Sequence, residues 1–328
     1  MKLIKAILFF SLFFASHFIK AQTPLGQYEV YKIMQFYNPA YAGVKADMNF
    51  VFQSEYYSVD NYILHFQADG RLGLFDSIKN LNPSLGILYR NDELGLVNKI
   101  HFGISVSNTF EVKGGHKLSA GIRYDYINTK IDKDDFVTPV GFSIGDPTIN
   151  ETKTSGNSHV GGVGLYFESK KKLLNGSLSF DYRGIFNSDL GPGQNILSES
   201  QVVYYNASVG TQLKVGQFYF LPTLFTRFEH EDFEILGSAK LFFKELIYLG
   251  GGYIYKHKYR YAPIGEFRLN EQYMLMAGGR FKMKKVGTFE LGVASYFPKA
   301  NPVFENGFQV YLNYFLLRKN SNQVPNLN

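Results

Sequence analysis

Histidines and neighbouring carboxylates are the residues of this chain whose types are suited to metal chemistry. His101 lies on a polar strand face without a partner at metal-ligand spacing, and His257 lies at a predicted strand end. The run His230-Glu231-Asp232 falls at another strand end. Structural zinc sites need four ligands at short, defined spacings, which these residues do not provide. They are therefore interpreted as solvated residues of a rim or lumen, and the sequence predicts no metal site.

Three aspartates close together suggest a calcium loop. Asp132, Asp134 and Asp135 supply carboxylate oxygens, which calcium prefers as ligands. The pair Phe136-Val137 follows at the point where such a loop needs a glycine turn and further oxygen ligands. The aspartates are therefore predicted to belong to a solvated loop.

Two glycine clusters have the composition of phosphate-binding loops. Gly161, Gly162 and Gly164 form one cluster and residues 250–252 the other, but no Lys-Ser pair or helix follows either. Glycines within strands more often allow bends or the close approach of another backbone. The chain has no cysteine, so no cysteine nucleophile is possible. The sequence therefore predicts no catalytic residue, no cofactor and no enzymatic activity, with a serine or aspartate catalyst at an outer rim as the alternative.

The first 21 residues have the pattern of a secretory signal peptide. Lys2 and Lys5 precede an apolar run, and Ala21 offers the small residue expected at a cleavage site. Beyond it, no apolar run approaches the ~20 residues that a membrane helix needs. The exported chain is therefore predicted to be either soluble or inserted in a membrane through strands.

The composition favours strands in a membrane. The 328 residues include 24 tyrosines, 31 phenylalanines and 32 glycines, and 19% are charged. Mean hydropathy is −0.14, which suits strands that are apolar on one face and polar on the other. The formal net charge of +6 is partly carried by lysines of the signal segment, and no basic stripe is present. Nucleic acid is therefore not a predicted partner.

Apolar and polar residues alternate with a period of two along most of the chain. Over 100–111, Phe102 and Ile104 share one face while Gly103 and Ser105 share the other. Such segments recur without a helical interlude, and they are about ten residues long, the length that crosses a bilayer. A closed barrel satisfies every backbone group in lipid, so the chain is predicted to be all-β, a transmembrane antiparallel β-barrel. A soluble β-sandwich is the alternative.

The alternation predicts strands near 47–57, 61–69, 84–91, 99–111, 116–127, 160–169, 175–184, 201–215, 217–228, 232–242, 246–257, 261–269, 272–283, 288–297 and 307–317. A closed single-chain bacterial barrel has an even number of strands, so about 14 are predicted, with 16 as the alternative. One of 246–257, 261–269 or 288–297 is then not a separate strand. Residues 47–317 are assigned to the barrel, 22–46 to a periplasmic lead segment and 318–328 to a polar tail.

Connection lengths predict the orientation of the barrel. With the N-terminus in the periplasm, the long polar loops 128–159 and 184–200 face outward. The tight links at 113–115 and 215–216 then face the periplasm. The lysine run 170–172 falls in a predicted inner turn, where it is interpreted as solvated, with contact to a periplasmic partner as the alternative.

The segment YNPAYAG at 37–43 predicts a defined turn just before the barrel. Pro39 lacks a donor and fixes φ, and Asn38 before it is biased towards extended geometry. The residues that follow are small apart from one aromatic anchor: Ala40, Tyr41, Ala42 and Gly43. The hypothesis is a rigid turn that holds the N-terminal segment against the periplasmic mouth or the lumen. An ordinary lead-in to the first strand is the alternative.

The hexapeptide at 38–43, placed after a signal peptide and before a barrel pattern, resembles the PorP/SprF family of outer-membrane proteins associated with type IX secretion and gliding motility. Three further features are similar to that family: a glycine-rich strand at 85–88 ending in Asn91, Asp92 and Gly95, a strand at 116–121, and a long loop opening at 131–132. The resemblance is specific over 34–132. The family's second Asn-Pro pair is missing from 30–37, and a polar segment follows the last predicted strand.

The resemblance implies a barrel in the outer membrane of a Gram-negative bacterium, with surface-exposed loops, in contact with outer-membrane lipid and type IX secretion components. It also implies assistance in exporting or attaching a cognate secreted protein, such as an adhesin recognised through its C-terminal domain. Loops 128–159 and 184–200 would then meet the cargo and the inner turns the periplasmic machinery. A passive diffusion channel for small solutes is the alternative function, and an outer-membrane hydrolase is a third.

Overall fold

The structure, a computed structural model, describes residues 34–44, 47–58, 61–72, 82–94, 97–112, 114–132, 153–170, 173–188, 202–229, 232–258, 268–283, 287–298 and 307–316. The predicted signal peptide, most of the lead segment and the polar tail lie outside them. Among the described residues, no helix is long and apolar enough to cross a membrane.

Two short helical turns precede a long series of strands. The α-helix α1 is Met34–Tyr37, and a 3-10 turn follows at Pro39–Tyr41. The strands are β1 Met48–Ser58, β2 Asn61–Arg71, β3 Pro83–Leu94, β4 Val97–Val112, β5 His116–Asp132, β6 Lys153–Glu168, β7 Leu174–Ser188, β8 Val202–Thr211, β9 Leu213–Val215, β10 Phe218–Glu229, β11 Asp232–Phe243, β12 Ile247–Lys258, β13 Arg268–Met283, β14 Gly287–Pro298 and β15 Gly307–Leu316.

Antiparallel pairing closes these strands into a ring. The first and last strands meet, from Met48 opposite Leu316 to Tyr56 opposite Phe308. The short β9 continues β8 after a break at Gln212, and both pair with β10. Taking β8 and β9 as one crossing, the ring is a closed barrel of 14 strands. The prediction of an antiparallel barrel with about 14 strands is confirmed.

The surplus predicted strand is 261–269. Residues 259–267 lie outside the described part of the chain, and Arg268 already opens β13, which pairs with β12 and β14. The other two candidates, 246–257 and 288–297, correspond to β12 and β14. A period of two is the same at the end of a long strand as in a separate strand, so the pattern by itself does not distinguish the two.

Side chains alternate between the lipid-facing surface and the lumen. In β4, Phe102 and Ile104 point outward and are 52% and 42% exposed, while Ser105 and Ser107 are buried inside. The apolar residues thus meet hydrocarbon, and the polar residues line the interior. The inward face of the strands is called the lumen wall below.

The two ends of the barrel differ in their connections. Tight turns join β4 to β5, β9 to β10 and β11 to β12 at the end where β1 begins, whereas 133–152 and 189–201 join strands at the opposite end. Outer-membrane barrels place their short turns in the periplasm, so β1 begins at the periplasmic end.

In the β11–β12 turn, Lys244 and Glu245 have φ values of 49° and 57°, in the left-handed region that favours glycine.

Candidate functional site

Residues 34–44, called the plug below, lie inside the barrel ahead of β1. Ala40 and Ala42 are 0% exposed, and Met34, Tyr37 and Val44 are buried as well. The turn and helix of this segment belong to one hydrophobic cluster with side chains of the lumen wall. The N-terminal segment is thus part of the interior of the barrel.

Asn38 and Pro39 fold the plug into its turn. The Asn38 backbone is extended, at φ −144° and ψ 111°, because steric contact with a following proline disfavours the helical region. Its Oδ1 accepts a hydrogen bond from the Ala40 N–H at 2.9 Å, which caps the 3-10 turn. Gly43 has φ +69°, and a Cβ there would lie 2.5 Å from the Cβ of Ser84. The turn expected from the sequence is therefore present, and Gly43 is required both by its φ and by the space.

The lumen wall holds the plug through the plug's own main chain. Four main-chain carbonyls of the plug accept hydrogen bonds from side chains of the wall. Arg123 donates to the Phe36 carbonyl, and Ser179 and Asn206 donate to that of Tyr37 at 2.5 and 3.3 Å. Ser107 donates to the Ala42 carbonyl at 2.7 Å, and Arg71 donates to that of Gly43 at 3.0 Å. The donors come from five different strands. Because every residue has a main-chain carbonyl, these bonds fix the path of the backbone and not its side-chain sequence.

The Asn38 side chain makes the reverse contact, from plug to wall. Its Nδ2 donates to the carbonyl of Leu165 at 2.9 Å and to that of Leu178 at 3.1 Å. Together with the bond from Ala40, this engages both ends of the amide, which is 1% exposed. A buried amide left without such partners costs about 1–3 kcal/mol, so Asn38 specifies one position for the plug.

Gln35 and Gly43 anchor the two ends of the plug. The Gln35 Nε2 donates to the Ser105 Oγ at 2.8 Å, and a Cβ on Gly86 would lie 2.6 Å from the Gln35 Cδ. At the other end, the Gly43 N–H donates to the Asp69 Oδ2 at 2.8 Å. Both ends of the segment are therefore bonded to the wall.

The lumen wall has glycines, which carry no side chain, where the middle of the plug lies against it. A Cβ on Gly121 would lie 2.6 Å from the carbonyl carbon of Pro39, and a Cβ on Gly164 would lie 2.8 Å from the Cγ of Asn38. Gly121 and Gly164 are directly opposite each other on β5 and β6. This glycine pair is the seat of the plug, because any larger side chain at either position would occupy the volume of the Asn-Pro turn.

Charged side chains enclose the aromatic ring at the start of the plug. The guanidinium carbons of Arg90 and Arg123 lie 5.3 and 5.9 Å from the centroid of the Phe36 ring, and the His101 ring lies 5.1 Å away. Cations over a ring face contribute about 0.5–2 kcal/mol. Phe36 is thus held by electrostatic as well as apolar contacts.

The two tyrosines of the plug pack on aromatic rings of the wall. Tyr37 lies 4.8 Å from Phe225 and Tyr41 lies 4.5 Å from Tyr166, measured between ring centroids. Burial raises the pKa of both plug hydroxyls, so they are neutral at any physiological pH.

Arg123 connects the plug to a buried set of charges. It lies 2.9 Å from the carboxylate of Asp181 and 3.2 Å from that of Asp125, which in turn lies 3.2 Å from the His101 Nε2. Removing one member of a buried ion pair leaves the other uncompensated, which is strongly destabilising. The donor to the Phe36 carbonyl is therefore locked in position by its own partners.

Large side chains fill the lumen along β11–β15. Tyr296 and Tyr311 are 0% exposed, and both belong to the same hydrophobic cluster as the plug. The Tyr248 ring covers two glycines of the neighbouring strands, since a Cβ on Gly278 or Gly292 would collide with it. The plug and these side chains therefore pack together in the interior of the barrel.

Buried charges also bridge this half of the lumen. Arg280 and Glu290 form an ion pair at 2.7 Å, with side chains 3% and 0% exposed. The Tyr311 hydroxyl donates to the second oxygen of Glu290 at 3.1 Å. The Lys240 ammonium lies 4.3 Å from the centroid of the Tyr248 ring. The filling of the barrel is therefore pinned by ion pairs and hydrogen bonds.

A family model described as "Type IX secretion system membrane protein PorP/SprF" matches residues 20–294. The chain belongs to the PorP/SprF family. The match includes the plug and reaches into β14. Membership places this barrel in the outer membrane and associates it with components of type IX secretion. No protein with curated annotation matches the chain.

Solved outer-membrane barrels are similar to this PorP/SprF chain at low identity. Omp33 of Acinetobacter baumannii is 11% identical, covers 84% of this chain and 100% of its own, and has a TM-score of 0.45. The "CymD monoaromatic hydrocarbon channel" is 10% identical, with coverage of 90% and 93% and a TM-score of 0.48. A FadL homologue of Pseudomonas aeruginosa is 9% identical, with coverage of 81% and 88% and a TM-score of 0.46. Similarity at this level carries nothing about what the PorP/SprF barrel binds or transports.

The predicted motif residues lie in two places. Asn38, Pro39, Ala40, Tyr41, Ala42 and Gly43 form the middle of the plug. Asn91 and Asp92 lie near the outer end of β3, where Asp92 pairs with Arg90, and Gly95 lies outside the described residues. The second group therefore contacts the plug only indirectly: Asp92 pairs with Arg90, and the Arg90 guanidinium lies over the Phe36 ring.

The residues considered for metal binding are dispersed. His101 is engaged by Asp125 in the lumen, and the His257 ring stacks on Phe233 at 5.2 Å. Within the described residues, no group of three or more His, Cys, Asp or Glu side chains is placed to hold a metal ion. Four of the residues considered lie outside the described part of the chain: His230, Glu231, Asp134 and Asp135.

The wall residues that receive the plug were not singled out by the sequence as a site. For Gly164 the sequence predicts a bend or the close approach of another backbone, without saying which segment approaches, and Gly121 is placed only in a family-like strand. The available signal was the presence of glycine and serine on the inward faces of adjacent strands. Such small residues permit a second backbone to approach.

Proposed function

We propose that this PorP/SprF barrel assists the type IX secretion apparatus in exporting a cognate secreted protein, such as an adhesin, or in attaching it to the cell surface. The proposed role is non-enzymatic, since holding or guiding a folded partner needs no bond to be made or broken. In keeping with it, the buried carboxylates of Asp125 and Asp181 are engaged by Arg123, and that of Asp69 accepts from the Gly43 N–H.

The filled lumen is the observation that carries the proposal. A passive channel needs a continuous aqueous path, yet the plug and the tyrosines of β14 and β15 are buried in one cluster across the interior. Barrels of this size can otherwise enclose a sizeable lumen. A barrel that fills its own lumen is better suited to engaging a partner at its rim than to solute diffusion.

The outer ends of β5 and β6 offer a surface for such a partner. β5 has 17 residues, and β6 has 16. A membrane strand needs only about 9–11, so the excess extends roughly 20 Å at about 3.4 Å per residue. The outward face of β5 changes from Ile122 and Tyr124 to Asn128 and Lys130, and Asn128 donates to Asn157 on β6 at 2.7 Å. This polar outward face of β5 and β6, beyond the hydrocarbon, is the proposed contact with the cargo.

A site-specific photo-crosslinker tests the proposal in intact cells. Placed at Lys130, on the exposed outer part of β5, it is expected to capture a large secreted protein, identified by mass spectrometry. The matched control is Val163, which is 52% exposed on the lipid-facing part of β6 and is expected to capture no cargo.

Purification without crosslinking is expected to recover type IX components. The purified barrel in a planar bilayer is expected to show no open-pore conductance. Recovery of the barrel alone from both crosslinking positions, together with a steady conductance, would overturn the proposal in favour of a diffusion channel.

A further inference from the structure

The plug is not a structural member of the barrel. The ring of strands is closed by pairing that does not involve residues 34–44. Among the described residues, no main-chain to main-chain hydrogen bond joins the plug to the wall; those of the plug run within the plug itself. The segment is therefore placed like a ligand, inside a barrel that is complete around it.

The contacts of the plug are those of a bound peptide. The wall supplies side-chain donors to the carbonyls of Phe36, Tyr37, Ala42 and Gly43. It accepts hydrogen bonds from the amide side chains of Gln35 and Asn38 and from the Gly43 N–H. Binding sites for peptides commonly combine main-chain hydrogen bonds, which give affinity, with a few side-chain pockets, which give specificity. The same division is present here.

We propose that the lumen wall is a peptide-binding site, that the plug is its resident ligand, and that another peptide of the same chemistry can replace it. That chemistry is an asparagine followed by small residues in a turn, with an aromatic residue after them. The glycine pair Gly121 and Gly164 excludes bulk at the asparagine and the residue after it. Tyr166 packs against the aromatic residue, here Tyr41, with the ring centroids 4.5 Å apart.

Exchange of the plug for another peptide depends on these contacts and not on the secretion role. If the proposed secretion role also holds, the natural competitor is a segment of the exported partner, and its binding would remove the plug from the lumen. The two proposals fail separately, since peptide exchange is measured on the purified barrel and cargo capture in cells.

The test uses the full chain, folded before it is cut. A protease recognition sequence is inserted at 45–46, between the plug and β1, and the refolded barrel is cleaved in detergent. A fluorescent synthetic peptide with the sequence of residues 31–46 is then added. Saturable binding with release of the original plug is expected. Retention of the cut plug against a large excess of peptide would overturn the proposal, because the segment would then be a fixed part of the fold.

A variant peptide with Asn38→Ala provides the matched control. It lacks the donors to the Leu165 and Leu178 carbonyls, so its affinity is expected to fall roughly thirtyfold. Equal binding of the two peptides would show non-specific uptake and would also overturn the proposal.

Amide hydrogen exchange of the uncut chain gives a second, independent readout. If the plug is a ligand, its amides, such as Ala40, Ala42 and Gly43, exchange together and faster than the amides of β5 and β6. Protection of the plug equal to that of these strands would contradict a separable segment, whatever the outcome of cleavage.

Discussion

Replacing Gly121 with alanine is expected to lift the plug from its seat. The new Cβ would lie 2.6 Å from the Pro39 carbonyl carbon and 2.7 Å from the Ala40 nitrogen. Both are main-chain atoms, so no flexible side chain can yield in their place. Gly121 lies in the extended region of a strand, and alanine adopts that backbone without strain. The substitution therefore acts on the plug and not on the fold of β5.

The size of the effect follows from the distances. Ordinary contact begins at 3.4 Å, so the plug must retreat until its backbone has moved from 2.6 Å to that separation. The bonds from Asn38 to Leu165 and from Ser107 to Ala42, at 2.9 and 2.7 Å, would then exceed hydrogen-bonding range. With the second Asn38 bond, about three hydrogen bonds are lost at ~1 kcal/mol each. A loss of about 3 kcal/mol raises the population of the open state roughly a hundredfold.

Two assays measure that population. Hydrogen exchange reports how often the plug amides open, and planar-bilayer recording reports open-pore events. The control is Gly161→Ala in β6, where a Cβ would meet nothing within 4 Å. If Gly121→Ala and Gly161→Ala give the same exchange rates and the same closed traces, the seat does not hold the plug, and the reasoning from Cβ distances is refuted.

Three further substitutions test other contacts. Asn38→Ala in the full chain is expected to cost about 2 kcal/mol of plug binding and to accelerate plug amide exchange roughly thirtyfold; unchanged rates would show that its amide bonds are dispensable. Arg280→Met is expected to lower the free energy of unfolding by about 3–5 kcal/mol, measured from heat-modified gel mobility. Adding Glu290→Met should recover much of that loss, and equal losses in the single and double variants would contradict a buried pair. Lys244→Gly is expected to raise stability by about 1 kcal/mol because φ of 49° is strained for lysine, and a lowered unfolding midpoint would contradict that strain.

The barrel could be predicted from the sequence because the pleat of a strand imposes a period of two on any chain that separates lipid from a polar interior. Phe102 and Ile104 against Gly103 and Ser105 show that separation directly. The strand count is harder to predict, since alternation alone does not mark where one strand ends and the next begins. The pattern predicts a separate strand at 261–269, whereas β13 begins at Arg268 and pairs directly with β12.

The turn of the plug was predictable and its seat was not. Asn38 and Pro39 act on their immediate neighbours, so their geometry follows from local sterics. The contacts that hold them span the chain: Asn38 bonds to Leu165 and Leu178, which are 127 and 140 residues away. A strand glycine such as Gly164 has the same local sequence signature whether it bends the strand or admits a second backbone.

The pairing of β1 with β15 makes the two ends of the barrel sequence the closing seam of the ring. Met48 cannot find Leu316 until every intervening strand has been synthesised and inserted, so the last contact to form is among the most distant in the chain. Contacts of such high sequence separation form slowly, because the entropy of closing a long loop must be met before the contact stabilises anything. The plug precedes β1 directly, so it is tethered to one side of this seam. Closing of the barrel and placement of the plug in its lumen are therefore linked in time. A chain truncated before β15 leaves the edges of β1 and β14 unpaired, and the plug is then not enclosed.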